Sequence, residues 1–185
     1  MANAIDDIRN EHKTMRWLLD LLEAQIHMFE NGERPDYDLI KEVIDYFLTF
    51  PDLFHHPKED MVYRKLKLRN PAAAGRFGDL EDQHERGSDR LHRFTRAVVN
   101  VMLEAEIPRE TFVGLARDFV DGERKHMDAE EALFFPAALE ALTEDDWHEI
   151  GMKVDRFTDP LSPGIAGVRF GLLAEHAANL CVTAD

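Results

Sequence analysis

Two stretches decide the reading: Phe54-His55-His56-Pro57-Lys58-Glu59-Asp60 and His126-Met127-Asp128-Ala129-Glu130-Glu131-Ala132-Leu133-Phe134-Phe135-Pro136. Each contains a histidine followed four residues later by a glutamate, and residues at that spacing share a helix face. His12 and His84 extend the pattern into two further regions of helical period. The spacing therefore predicts imidazoles and carboxylates pointing inward, where leucine or isoleucine would ordinarily sit.

Apolar seams carry the fold prediction. Ile8, His12, Met15, Leu19, Leu22, Ile26 and Phe29 step by three and four. So do Phe77, Leu80, His84, Gly87, Leu91, Phe94, Val98 and Val101. Phe112, Leu115, Phe119, Gly122, His126, Glu130 and Leu133 form a third series. The remaining seam, Ile40, Ile44, Leu48, Pro51, His55, Glu59, Val62 and Leu66, is less regular, and Pro51 and Pro57 should kink it. Such spacing belongs to helices packed in a bundle. Breaks at 31–36, 70–71 and 107–108 bound four long segments, 4–31, 36–69, 71–106 and 108–142. Asn70 before Pro71 reads as an N-cap, and Thr143 before Glu144, Asp145 and Asp146 reads as the start of a short fifth helix over 143–157. Short connections make neighbours antiparallel. The expected fold is all-α, an antiparallel up-down-up-down four-helix bundle with a short extra C-terminal helix. The expected division is a bundle over 1–157 and a partly ordered or mobile tail over 158–185.

In that arrangement His12, His55, His84 and His126 fall in one layer. The largest mismatch in height is about 4 residues, or ~6 Å at a rise of 1.5 Å per residue. A buried, unpartnered carboxylate costs several kcal/mol, and cations remove that cost. Imidazole with carboxylate and without thiolate suits iron, manganese or zinc.

Composition narrows the classes. The 185 residues are 44% apolar, enough for a core, and carry a formal net charge of -15. That charge repels phosphate backbones and argues against nucleic acid as a partner. The basic run Arg64-Lys65-Leu66-Lys67-Leu68-Arg69 is expected to complement the negative end of a helix. A lone cysteine, Cys181, allows no intrachain disulfide and no Cys-type zinc site. No run suits a membrane span, and the N-terminus lacks signal-peptide blocks, so a cytoplasmic protein is expected.

The ordered set His12, His55-x-x-x-Glu59, His84, His126-x-x-x-Glu130 resembles the hemerythrin-like (HHE cation-binding) family over about residues 4–157. The resemblance implies two iron ions in an oxo- or hydroxo-bridged centre, with zinc or manganese as alternatives. It also implies that dioxygen, peroxide or nitric oxide is the small partner. The implied ligands are His12, His55, Glu59, His84, His126 and Glu130. Oxygen-carrying relatives have a second histidine where this chain has Ser88, and their last carboxylate is an aspartate one residue further along. His56 and Tyr63 are candidates to replace the lost ligand, and Gly87 and Ser88 are expected to leave room for a small ligand.

Alternatives follow from the same residues. His56-x-x-x-Asp60 has the same spacing as His55-x-x-x-Glu59. Glu81-x-x-His84 and Glu123-x-x-His126 match the motif of ferritin-like di-iron oxidases. A sensor or binding module without turnover, read by an unknown protein partner, is another alternative. His92 is expected at the surface or just behind the site. His27, His148, His176, Glu81 and Glu123 are expected to be solvated.

Overall fold

Asp36, Asn70, Asp79 and Thr143 stand where a side-chain oxygen can take an otherwise unpaired N–H of a first helical turn. Asp36 accepts from Asp38 and Leu39, Asn70 from Ala73, and Asp79 from Asp82. The Thr143 hydroxyl accepts from the Asp146 N–H, and the Asp146 carboxylate accepts from the Thr143 N–H. Each such cap is worth about 1 kcal/mol.

The computed structural model describes residues 4–154 and Leu173; among these the chain is helical, with no strand. α1 spans Ala4–Glu30. The second arm is α2 (Tyr37–Phe47), a π-helical turn over Pro51–His55, and α3 (His56–Arg69). The third is α4 (Pro71–Phe77) and α5 (Leu80–Met102). The fourth is α6 (Arg109–Ala129), a second π turn over Glu130–Phe134, and α7 (Phe135–Ala141); α8 (Glu144–Val154) follows.

The third arm corrects the expectation of one helix over 71–106. It breaks at Gly78, whose φ of +99° suits glycine, and ends at Met102. The tail boundary at 157–158 and His176 lie outside the described residues. Leu173 is buried in the core beside α2, and its N–H donates to Glu42 at 3.1 Å.

Proline dictates both π turns. Pro57 and Pro136 have no N–H to give, and in an α-helix their rings would collide with the carbonyls of Leu53 and Ala132. The hydrogen-bond ladder therefore slips by one residue. The His56 N–H reaches the Pro51 carbonyl, and the Phe135 N–H reaches the Glu130 carbonyl. The second slip corrects the fourth seam. Leu133 is 55% exposed, and Phe134 is fully buried in its place.

Pairings across helices show direction. Glu30 meets Arg117, Asp20 and Glu23 meet Arg124, and Arg16 meets Asp128, so α6 runs antiparallel to α1. Arg93 meets Asp118 while Gln83 meets His126, so α5 also opposes α6. Two apolar cores result. One holds Leu19, Leu22, Ile44, Phe50, Phe94 and Phe119; the other holds Ile5, Ile8, Val62, Leu66, Phe77 and Phe134. His12 falls between Ile8 of one core and Met15 of the other, so the histidine layer separates them.

The basic run finds partners on α8. Arg69 bonds Asp146 at 2.7 Å, and Lys65 reaches Asp146 and Glu149, while Lys67 and Arg69 complete the last turn of α3. Arg69, then the Thr143 cap and Lys65, hold the Asp146 carboxyl well below its ordinary range despite the opposing effect of desolvation. A carboxylate depressed on folding stabilises the native state above its unfolded pKa, and that stability is lost as pH falls towards the folded value. Asp146→Asn is expected to cost about 2 kcal/mol at neutral pH, through the loss of charge-assisted bonds. The gap from wild type should narrow below about pH 4, as urea denaturation at several pH values would measure.

Candidate metal centre

Four helical arms each deliver one imidazole to the layer between the cores. His12 comes from the middle of α1, His55 from the end of the first π turn, His84 from the start of α5 and His126 from the end of α6. Glu59 lies one turn past His55 in α3, and Glu130 is the first residue of the second π turn. His12, His55, Glu59 and Glu130 are at most 1% exposed.

The carboxylates stand between pairs of imidazoles. Glu59 Oε1 is 3.1 Å from His55 Nε2 and 3.6 Å from His12 Nε2, while its Oε2 is 3.3 Å from His84 Nε2. Glu130 Oε2 is 3.3 Å from His12 Nε2, and its Oε1 is 3.3 Å from His126 Nε2. Glu59, His84, His126 and Glu130 offer ligand atoms within 4.8 Å of one another, and so do His12, His55 and Glu59. The set divides into two halves joined by carboxylates.

Hydrogen bonding does not account for this convergence. His12 Nε2, His84 Nε2, His126 Nε2 and all four oxygens of Glu59 and Glu130 are buried without a hydrogen-bond partner. Each orphaned group costs about 1–3 kcal/mol. Lone pairs aimed at a shared centre are what a cation requires, so the residues present fit a metal site.

The outer nitrogens hold the rings in place. His55 Nδ1 is 2.9 Å from Glu11, whose other oxygen accepts from the buried Lys58 ammonium. His12 Nδ1 is 3.1 Å from Glu131, and His126 Nδ1 is 3.4 Å from the Gln83 carbonyl oxygen. An Nδ1–H donated outward leaves Nε2 free to ligate. Phe135 stacks on His12 at 5.6 Å and closes that side with an apolar wall.

Electrostatics sets His126 apart from the other three imidazoles, all of which are raised. Burial pulls His12 down, but Glu130 and Glu59 outweigh it and raise the ring to about 9. Burial likewise opposes His55, which Glu59 and Glu11 raise to about 10. Burial alone dominates His126 and lowers it to about 3. Burial pushes Glu59 up, yet His55 and His12 hold it well below its ordinary value; burial and Glu59 together raise Glu130. Protonation and metal binding therefore compete at His12 and His55.

Other expected residues lie elsewhere. His56 is not among the converging atoms: its ring stacks on His84 at 3.7 Å and its Nδ1 faces Asp52 at 3.1 Å. Asp60 pairs with Arg64. The Tyr63 hydroxyl donates to the Gly78 carbonyl. Ser88 lines a cavity beside His84 and meets His92, which is exposed. His27, His148 and Glu81 are exposed as expected, but Glu123 is not: it is 8% exposed, a correction to its expected solvation. With Glu81 in solvent and Glu123 outside the converging set, the Glu-x-x-His reading finds no inward carboxylate pair. Glu11, Lys58 and Glu131 were not foreseen; an acid beside each of His12 and Glu130 was the available signal.

The described residues are all-helical and enclose a buried histidine–glutamate cluster able to hold metal. The family profile of the hemerythrin HHE cation-binding domain matches residues 3–167, and the chain belongs to that family. No curated protein and no solved structure matches it. No described helix is long and apolar enough to cross a membrane.

Proposed function

We propose that this chain is a non-haem di-iron protein that handles or senses dioxygen, peroxide or nitric oxide, built as an antiparallel up-down-up-down four-helix bundle. His12 and His55 would hold one ion and His84 and His126 the other, with Glu59 and Glu130 within reach of both halves. The observation that carries this reading is the set of buried, unpartnered imidazole and carboxylate atoms facing one another across two joined halves. The antiparallel pairing of α6 with both α1 and α5 supports the bundle.

Bound iron would supply one-electron redox chemistry and a coordination position for a small ligand. The chain's own residues do the rest. Glu11 and Glu131 fix the tautomers of His55 and His12. Phe135 and Phe50 shield that half from water. His84 and His126 border a cavity lined also by Gly87 and Ser88, so an incoming ligand approaches this half.

Protein loaded anaerobically with ferrous iron is expected to hold two iron ions per chain and to develop charge-transfer absorption on exposure to air or peroxide. A chain that takes up no iron, or whose spectrum ignores both oxidants, overturns the reading. Removing the metal with a chelator should lower Tm by about 8 °C, since saturation at about 100 times Kd adds about 2.7 kcal/mol. Equal melting with and without chelator would favour a bundle that needs no metal.

A further inference from the structure

His84 and His126 also border a cavity of about 190 Å³ whose lining includes Gln83, Gly87, Ser88 and Glu123. Glu123 lies on α6, nearly one turn before His126, and no described side chain hydrogen-bonds its carboxyl group. Facing it on α5 is Gly87, where an added Cβ would stand 2.9 Å from Glu123 Oε1. The opposite exchange occurs alongside. The Arg90 guanidinium of α5 lies against Gly122 of α6, where an added Cβ would collide with it. Each helix thus gives up a side chain to admit a charged group from the other.

Packing alone does not explain this arrangement. Each helix-interior glycine costs about 1 kcal/mol relative to alanine, and desolvating most of a carboxyl group adds to it. An apolar residue at 123 would fill the space without that cost. Burial raises the Glu123 carboxyl to about 7, with Arg90 acting against the rise. Arg90 Nε is itself buried and unpartnered, so Arg90 acts on Glu123 by charge rather than by a bond through that atom.

We propose that Glu123 is a ligand-contacting residue: its carboxyl group hydrogen-bonds a small polyatomic ligand of the azide or peroxide class in the cavity beside His84 and His126. The carboxyl O–H donates to the ligand's outer atom, which in azide can only accept. Gly87 keeps the carboxyl group directed into that space. A ligand without an outer atom able to hydrogen-bond would gain nothing from Glu123, so the residue sets specificity. This inference rests on metal being held by His84 and His126.

The test is azide titration of the iron-loaded ferric protein, followed by ligand-to-metal absorption, in wild type, Glu123→Gln, Glu123→Leu and Gly87→Ala. All four are expected to hold the same amount of iron. Glu123→Gln keeps a donor without the charge and should bind azide at least as tightly as wild type. Glu123→Leu should bind about tenfold more weakly than Glu123→Gln, the scale of one hydrogen bond to a charged group. Gly87→Ala, which displaces the carboxyl group while leaving Glu123 in place, should weaken azide about fivefold and decides the matter if Glu123→Leu fails to fold. Equal azide affinity across the folded variants overturns the proposal, as does loss of iron in Glu123→Leu, which would assign the residue to the metal cluster. A wild-type chain that takes up no iron removes the metal reading itself, a result separable from any difference among variants.

Discussion

Glu59→Gln is expected to empty both halves of the cluster at once. One oxygen of Glu59 lies near the Nε2 atoms of His55 and His12, and the other lies near that of His84, so a single side chain serves three of the four imidazoles. Glutamine keeps the shape but removes the negative charge and turns an N–H₂ group towards lone pairs that need a cation. Loss of a supporting partner around a metal ligand typically costs 10–100-fold in affinity, and loss of a shared carboxylate should exceed about 100-fold. Elemental analysis after loading with iron and desalting should find less than about one-tenth of the wild-type iron. Glu81→Gln, which alters the exposed carboxylate of the competing Glu-x-x-His pattern, should leave the iron unchanged. A Glu59→Gln chain with its full complement of iron would remove the central assignment.

The inward course of His12, His55, Glu59, His84 and Glu130 could be read from seam periodicity, because side-chain direction on a helix follows directly from spacing. The caps at Asn70 and Thr143 were readable for the same reason: they depend on residues within three positions. What escaped the sequence depends on local hydrogen-bond slippage or on residues facing each other across helices. The π turns at Pro51–His55 and Glu130–Phe134 shift the register by one residue, and a count by threes and fours passes straight through them. Their signal was Pro57 and Pro136, each two residues beyond the slip. The break at Gly78 falls inside the run from Phe77 to Val101, whose helical spacing passes straight through it. Glu123 looked solvated because its burial depends on Gly87 of another helix. Gly87 and Gly122 both stood in the seams, but only folding shows which side chain each admits. Glu11 and Lys58 were hidden in the same way, as their link to His55 joins α1 to the second arm.

Phe134→Ala is expected to destabilise the metal-free protein by about 3–5 kcal/mol, whereas Leu133→Ala should stay within about 0.5 kcal/mol of wild type. A seam continued at helical spacing from His126 through Glu130 would put Leu133 inside and give the reverse order. In the structure Phe134 is fully buried, with its ring 5.3 Å from Phe77 and 5.7 Å from Tyr63, while Leu133 is more than half exposed. The difference comes from the slipped bond between the Phe135 N–H and the Glu130 carbonyl. That slip lets Glu130 face the cluster while the next turn still seals the core beneath it. Urea denaturation in the presence of chelator separates the packing effect from any change in metal affinity. At about 2–4 °C per kcal/mol, Phe134→Ala should lower Tm by about 10 °C. If Leu133→Ala proved the more damaging of the two, the π turn would be absent in solution, and the seal that Phe134 forms beneath the cluster would fall with it.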